Sequence, residues 1–365
     1  MKILVTGAAG FIGSATIGKL IEHYGHDIEI VGLDNLNEYY SPALKVARLL
    51  SLGFTSSDFR SGSSPITAEE IAHNILFTSK CNGKLHFIKT SLQDWTEIER
   101  LFKEFNFDYV IHLGAQAGVR YSIDHPREYI ESNVTGFLNI LEGCRHYKVK
   151  HLVYASSSSI YGLNQKIPFS EKDPTSHPVS LYAATKKSNE LMAHSYSYLY
   201  GLPVTGLRFF TVYGPWGRPD MSPFLFIDAV LKGNTIKVFN NGDMWRDFTY
   251  IDDVTEGIVR VLTKIPEGNP NWNGMVPNPA ESTAPFRLFN IGNSKPINLK
   301  DYIETIEKCC GLTAKKEYLP MQSGDVYQTY ADSSALANIT EFHPNTPLKE
   351  GIAKTVGWYK NYYNL

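Results

Sequence analysis

Apolar residues fall along the first 210 positions in short runs that alternate with helix-length segments of mixed polarity. Residues 2–6 form a β-branched run, a glycine-rich turn and a helical repeat follow to about Tyr24, and residues 28–33 form a second apolar run. Short runs bounded by turn residues predict buried strands, whereas apolar positions three and four apart predict helices. Further strands are predicted at 85–89, 109–113, 151–155 and 204–208, with helices at 95–105, 129–147 and 181–200 between them. This alternation predicts an α/β fold: a doubly wound parallel sheet with right-handed crossovers, helices on both faces and a ligand cleft at the carboxyl ends of the strands.

The pattern breaks in two places and loosens after residue 210. Residues 51–83, rich in Ser, Thr and Gly with a possible short helix at 68–77, read as an insertion between the second helix and the third strand. Residues 266–285, rich in Pro, Asn and Gly, read as a long loop. The shorter elements beyond residue 210 predict a smaller α/β substrate-binding lobe over 211–365 beside a large domain over 1–210. Some of the later chain is expected to return to the large domain.

Composition narrows the class. The chain has 365 residues, 43% hydrophobic and 20% charged, with a net charge of -2. Such a balance argues against disorder and against a basic nucleic-acid surface. Cys81, Cys144, Cys309 and Cys310 show no CxxC spacing, and eleven histidines are scattered without metal-ligand spacing. Reduced thiols and no metal site are therefore expected. A first strand starting almost at Met1 and the lack of any membrane-length apolar run predict a cytoplasmic protein with no membrane partner.

Gly7-Ala8-Ala9-Gly10-Phe11-Ile12-Gly13 follows a strand and opens a helix. Small residues there let the backbone approach a pyrophosphate whose charge meets the helix N-terminus. The spacing is GxxGxxG, and a tight, closely packed turn would use the same glycines. Asp34 lies just after the second strand, 21 residues beyond Gly13. A carboxylate at that place accepts hydrogen bonds from an adenosine ribose and repels a 2′-phosphate, which predicts a Rossmann-type sheet binding NAD rather than NADP. A turn or helix cap is the other use for Asp34.

Tyr182 and Lys186 stand four apart in a helical segment and so share one face. A phenol near pKa 10 is a poor base at neutral pH, and lowering it by about three units takes roughly 4 kcal/mol. A lysine cation at about 4 Å in an effective dielectric near 20 supplies on the order of 4 kcal/mol. Tyr182 could then take a hydroxyl proton while hydride leaves the same carbon. Ser156 to Ser159 follow the strand at 151–155 and occupy a carboxyl-end loop, where a hydroxyl could bridge the substrate oxygen and Tyr182. An exposed aromatic-cation pair and a plain serine-rich turn are the alternatives.

Together these residues resemble the extended short-chain dehydrogenase/reductase family, in particular its nucleotide-sugar epimerases and dehydratases. The segments at 112–121, 208–220 (containing Phe-Thr-Val-Tyr-Gly-Pro-Trp-Gly-Arg) and 240–253 are similar to the UDP-glucuronate 4-epimerase branch. The resemblance implies Ser157 as catalytic hydroxyl, Tyr182 as base and acid, and Lys186 as the partner that binds the nicotinamide ribose. It implies that Phe11, Ile12, Asn35, Ser91, Leu92, Gln116 and Asn133 join the glycines and Asp34 around NAD. On the substrate side it implies Arg120, Ser158, Thr211, Arg218, Arg246, Asp325 and Thr329, with Arg246 at the diphosphate and Asp325 at the uridine ribose. A homodimer packed through the helices carrying Asn133 and Tyr182 is also implied.

Departures from the family pattern are informative. Ser159 stands where the dehydratases and decarboxylating synthases carry a Glu, so loss of water is disfavoured and epimerisation at C4 through a 4-keto sugar remains. Gln322 replaces an Arg at a second phosphate contact, and Ser91 replaces an Asp near adenine. A hydroxyl and a guanidinium at Thr211 and Arg218 suit a C6 carboxylate, which points to conversion of UDP-glucuronate to UDP-galacturonate. The competitors are a UDP-glucose or UDP-N-acetylglucosamine 4-epimerase, a dehydrogenase that releases NADH, and, more remotely, a non-catalytic NAD sensor.

Overall fold

The computed structural model describes residues 1–60, 64–321 and 326–365. Its strands in chain order are β1 (Lys2–Thr6), β2 (Glu29–Asp34), β3 (Leu76–Thr78), β4 (Leu85–Lys89), β5 (Tyr109–His112), β6 (His151–Ser157) and β7 (Val204–Phe209). They continue with β8 (Thr211–Tyr213), β9 (Thr235–Phe239), β10 (Trp245–Tyr250), β11 (Phe286–Ile291), β12 (Pro296–Asn298) and β13 (Lys315–Leu319).

Eight of these form one sheet in the order β11-β7-β6-β5-β1-β2-β4-β3, parallel throughout except for β3 at the edge. The expected α/β class and doubly wound parallel sheet are present. Successive side chains of a strand point to opposite faces. Ile3 and Val5 accordingly join one apolar layer and Leu4 the other, so the sheet is buried on both sides as parallel sheets require. Thr6 pairs with Leu33 of β2 and with His112 of β5, so three carboxyl ends finish level. The chain order reverses between β1 and β5, which opens a crevice there.

Caps define the helices that flank this crevice. Asp94 accepts from the Glu97 amide and starts the helix Trp95–Phe105, and Asn106 ends it in the left-handed region. Ser180 accepts from the Ala183 amide at 3.1 Å and starts the helix Leu181–Tyr200, two residues before Tyr182. Both helices lie where the apolar periodicity places them.

Two elements differ from the sequence expectation. Residues 68–77 form no helix; Ile66, Ala68 and Ile71 are buried individually against the large domain, and the chain then becomes the antiparallel edge strand β3. Phe59, in the short helix Ser56–Phe59, stacks on Phe54 at 5.3 Å and meets Phe77 and Phe87, so aromatic packing anchors the insertion. The helix expected over 129–147 is a π-helical turn, Ile130–Thr135, followed by the α-helix Gly136–His146.

After residue 211 the chain builds two small sheets, β12-β10-β8 and β13-β9. It also gives β11 to the large sheet, where it pairs in parallel with β7. The helix Ile251–Leu262 crosses back to the helix Phe11–Tyr24, bridged by Lys19 and Glu256 at 3.1 Å. Residues 266–285 are largely irregular, as their composition predicts. Among the described residues no helix is long and apolar enough to cross a membrane, and no three potential metal ligands cluster.

Candidate active site

The glycine turn is packed as tightly as its spacing suggests. Gly7 has φ +71°, and a Cβ there would come within 2.8 Å of the Gly114 amide nitrogen. A Cβ on Gly13 would strike the Gly7 carbonyl at 2.0 Å. Gly10 is the N-cap of the helix Phe11–Tyr24, yet no side chain caps that end and its first turn has no acidic residue. Amides at an uncapped N-terminus suit a phosphate anion, so close packing and a phosphate cradle are the same feature here. The turn fits the diphosphate of NAD.

Asp34 is buried at the end of β2 and accepts from the Leu36 amide at 2.9 Å and the Ala9 amide at 3.2 Å. Its carboxylate therefore braces both the following turn and the glycine loop, besides facing the cleft. Asp34→Ala should weaken NAD binding about tenfold, measured as nucleotide release from the purified protein. Unchanged NAD affinity would remove Asp34 from the ribose site.

Tyr182, Lys186 and Glu190 recur every four residues on one face of their helix. Burial raises the Tyr182 phenol, opposed by a hydrogen bond with Ser157 and by the Arg218 charge. Burial lowers the Lys186 ammonium to about 8, and its Nζ donates to the Ala155 carbonyl at 2.9 Å. The protein by itself therefore does not depress the phenol as simple tyrosine-lysine spacing suggests. His112 is pushed down to about 3, first by burial and then by the Lys186 charge, and stays neutral. Thr6 Oγ1 accepts from the Gly114 amide at 3.0 Å and shares a hydrogen bond with His112 Nδ1 at 2.8 Å.

A buried ion pair fixes the serine loop against this helix. Arg208, on β7, donates to both Glu190 oxygens at 2.9 and 3.0 Å, and Ser156 donates to Glu190 Oε1 at 2.8 Å. Burial alone would raise the Glu190 carboxyl, but Arg208, Lys187 and the Ser156 hydroxyl together outweigh it and hold the group low. Ser157 Oγ accepts from the Ser159 amide at 3.2 Å and lies 3.1 Å from Ser159 Oγ. The Ser157 hydroxyl is thereby held beside Tyr182.

Gly7, Gly10, Gly13, Asp34, Ser156, Ser157, Ser159, Tyr182 and Lys186 line one cleft of about 1110 Å³, just above the range usual for a single small ligand. Phe11, Ile12, Asn35, Leu92 and Gln116 line it on the nucleotide side. Arg120, Ser158, Thr211, Arg218, Arg246 and Thr329 line it on the other. Arg120 lies over the Phe239 ring at 5.2 Å, and Arg246 donates to the Tyr327 carbonyl at 3.1 Å. Asp325 and Gln322 fall outside the described residues.

Two residues expected at the cofactor do not face the cleft. Ser91 is not part of its lining, which passes from Thr90 to Leu92. Asn133 sits behind the wall: it accepts from the Gln116 amide at 2.7 Å, donates to the Gln116 carbonyl at 3.0 Å and donates to Thr185 at 3.1 Å. It ties the loop after β5 to the Tyr182 helix, and the π-turn that carries it turns its side chain that way.

The structure also adds residues that spacing does not single out. Arg218 Nε donates to Asp220 Oδ1 at 3.0 Å, and Tyr39 donates to Asp220 Oδ2 at 2.9 Å. Burial would raise the Asp220 carboxyl, but Arg218 outweighs it and keeps it low. The Arg218-Pro-Asp220 sequence was a signal for this pair; nothing local points to Tyr39.

The fold and this constellation define a dinucleotide-dependent enzyme of the tyrosine-lysine type. The chain belongs to the NAD dependent epimerase/dehydratase family, whose sequence profile matches residues 3–273. It is 43% identical to a probable UDP-glucuronate 4-epimerase from Rhizobium meliloti, covering 100% of this chain and 98% of that one. It is 47% identical to the protein CapI of Staphylococcus aureus over 100% and 99% of the two chains. A crystal structure of the UDP-glucuronic acid 4-epimerase from Bacillus cereus, with UDP-glucuronic acid and NAD, superposes with a TM-score of 0.81 at 30% identity over the whole of both chains.

Proposed function

We propose that this protein is an NAD-dependent isomerase that inverts C4 of UDP-glucuronate to give UDP-galacturonate through a transient 4-keto sugar. The observation that carries the reading is the placing of Thr211 and Arg218 in the same cleft as Ser157, Tyr182 and Lys186. NAD, when bound, supplies the hydride acceptor and later donor. It is held by the glycine turn and Asp34, and Lys186 is placed to meet its ribose.

Tyr182 takes the C4 hydroxyl proton and later returns one, while Ser157 holds the same oxygen. Ser159 offers a hydroxyl where elimination would need a carboxylate, so the keto sugar is left to turn over and be reduced on its other face. That keto sugar is a β-keto acid and loses carbon dioxide when its carboxylate aligns with the ketone. Thr211 and Arg218 hold the carboxylate, with Asp220 yielding part of the guanidinium to it. The low dielectric of the cleft strengthens such a charge-assisted pair.

Incubation of the purified protein with UDP-glucuronate and, separately, UDP-glucose, without added NAD, tests the reading. Conversion of UDP-glucuronate is expected, and conversion of the neutral sugar alone would favour the hexose epimerase instead. Arg218→Ala should lower turnover of UDP-glucuronate about a hundredfold and increase release of carbon dioxide per turnover. If neither changes, Arg218 does not hold the carboxylate.

We further propose residues 211–365, less the Ile251–Leu262 helix and β11, as the sugar-binding lobe. A homodimer through the helices carrying Asn133 (Ile130–Thr135, continuing as Gly136–His146) and Tyr182 (Leu181–Tyr200) is supported by exposed Leu138, Leu191 and Leu199 on them. Sedimentation at the mass of one 41.0 kDa chain would reject it. The nucleotide substrates fit work in the cytoplasm.

A further inference from the structure

The stretch from Tyr39 to Arg48 grips two places that the proposed reaction uses for different partners. Arg48 is 0% exposed. Its Nη1 donates to the Ala9 carbonyl in the glycine turn at 3.0 Å and to the Tyr40 hydroxyl at 2.6 Å. Its Nε and Nη2 donate to the Trp216 carbonyl at 3.1 and 2.6 Å, and Nη2 also reaches the Gly217 carbonyl at 3.3 Å. Among the described residues no carboxylate forms an ion pair with it. A permanent cation is thus buried on dipoles alone, a costly arrangement that an apolar side chain would avoid.

The turn that Arg48 holds leads directly into Arg218. Trp216 sits in the left-handed region at φ +63°, which a bulky side chain adopts only where its surroundings impose it. From the same stretch Tyr39 donates to Asp220, the partner of Arg218. The Tyr39 hydroxyl fills the space that a side chain at Gly118 would need, so the loop after β5 leaves room for this link. The segment 216–220 is therefore held at both ends from residues 39 and 48.

We propose that Arg48 and Tyr39 are positioning residues that couple the phosphate cradle of the cofactor to the placing of Arg218 at the sugar. One planar guanidinium holds the Ala9 carbonyl, whose own peptide amide, that of Gly10, donates to the Gly7 carbonyl at 2.9 Å, so the shape of the glycine turn is fixed from both sides. The same group draws in the Trp216 and Gly217 carbonyls, which sets the backbone that aims Arg218. A diphosphate in the glycine turn would add negative charge near the buried cation and so reinforce it. Lysine in its place has one donor centre and cannot serve these directions together. The proposal rests on the reading that the glycine turn takes NAD and that Arg218 meets the sugar.

Kinetics of Arg48→Lys and Tyr39→Phe, alone and combined with Arg218→Lys, test it. Arg48→Lys should raise KM for the UDP-sugar about tenfold with a smaller fall in kcat, and should speed loss of NAD. In the Arg218→Lys background the same change should raise KM less than about twofold, because residues acting through one group are not additive. Tyr39→Phe, which keeps the ring, should show a smaller KM effect with the same non-additivity, and it decides the matter if Arg48→Lys does not fold. Penalties that add fully to that of Arg218→Lys, or a lower Tm with KM unmoved, would overturn the proposal. Should the wild type convert UDP-glucose and not UDP-glucuronate, the uronate reading fails. The same cycle on UDP-glucose then still decides the coupling.

Discussion

Tyr182→Phe is expected to lower kcat for epimerisation by about a thousandfold while NAD and the UDP-sugar still bind. The change removes one hydroxyl from a half-buried ring, so the packing against Tyr129, at 6.1 Å between centroids, is kept. What is lost is the group proposed to exchange the C4 proton. Burial holds the phenol high, with Ser157 and Arg218 pulling the other way, so the reactive phenolate gains from every further positive charge brought to the site. Wild-type kcat/KM should therefore climb with pH as the phenol ionises, and the residual rate of Tyr182→Phe should lack that climb. A variant within tenfold of wild type would place the proton transfer elsewhere.

Lys186→Met should reduce activity on a similar scale yet make the nucleotide-free protein more stable near neutral pH. The folded-state value of about 8 lies below the ordinary 10.5, so burial disfavours the charged form. Above 10.5 the lysine is neutral in both states and costs nothing through ionisation. As pH falls through 8, the unfolded chain has already bound its proton more tightly, and the full penalty of about 3 kcal/mol is present at pH 7. Methionine removes that penalty and fills a similar volume, while the Ala155 carbonyl loses a hydrogen bond worth about 1 kcal/mol. Melting curves should then show the variant a few degrees above wild type at pH 7, with the gap closing between pH 8 and 10.5. A lower Tm at pH 7 would show that the buried cation is not a burden on the fold. Such a gain in stability with loss of activity is the usual mark of a group kept for chemistry.

The Arg208–Glu190 pair explains why neither variant should disturb the other parts of the site. Replacing Glu190 would leave Arg208 buried without a carboxylate, and replacing Arg208 would leave Glu190 with Lys187 alone; either change would disturb Ser156. The Tyr182 and Lys186 changes leave that pair intact, so their effects report on chemistry at the cleft rather than on its frame.

What the sequence determined by itself are the features set by neighbours a few residues apart. The βαβ alternation, the glycine turn opening a helix, the helices at 95–105 and 181–200 and the shared face of Tyr182 and Lys186 follow from backbone geometry and repeat length. Those local rules do not depend on the rest of the chain. The short helix expected at 68–77, within the insertion at 51–83, failed the same reasoning because its apolar spacing was satisfied by burial against the sheet and not by a helix. Only the tertiary structure decided which distant groups share a partner. It set Asn133 behind the cleft wall, returned β11 to the large sheet, placed Asp220 on Arg218 and drew Arg48 to carbonyls 168 residues away. Such pairings are chosen by packing, since a buried polar group takes whichever partner the assembled fold brings within reach. The sequence thus named most of the chemistry, and the fold supplied the contacts that aim it.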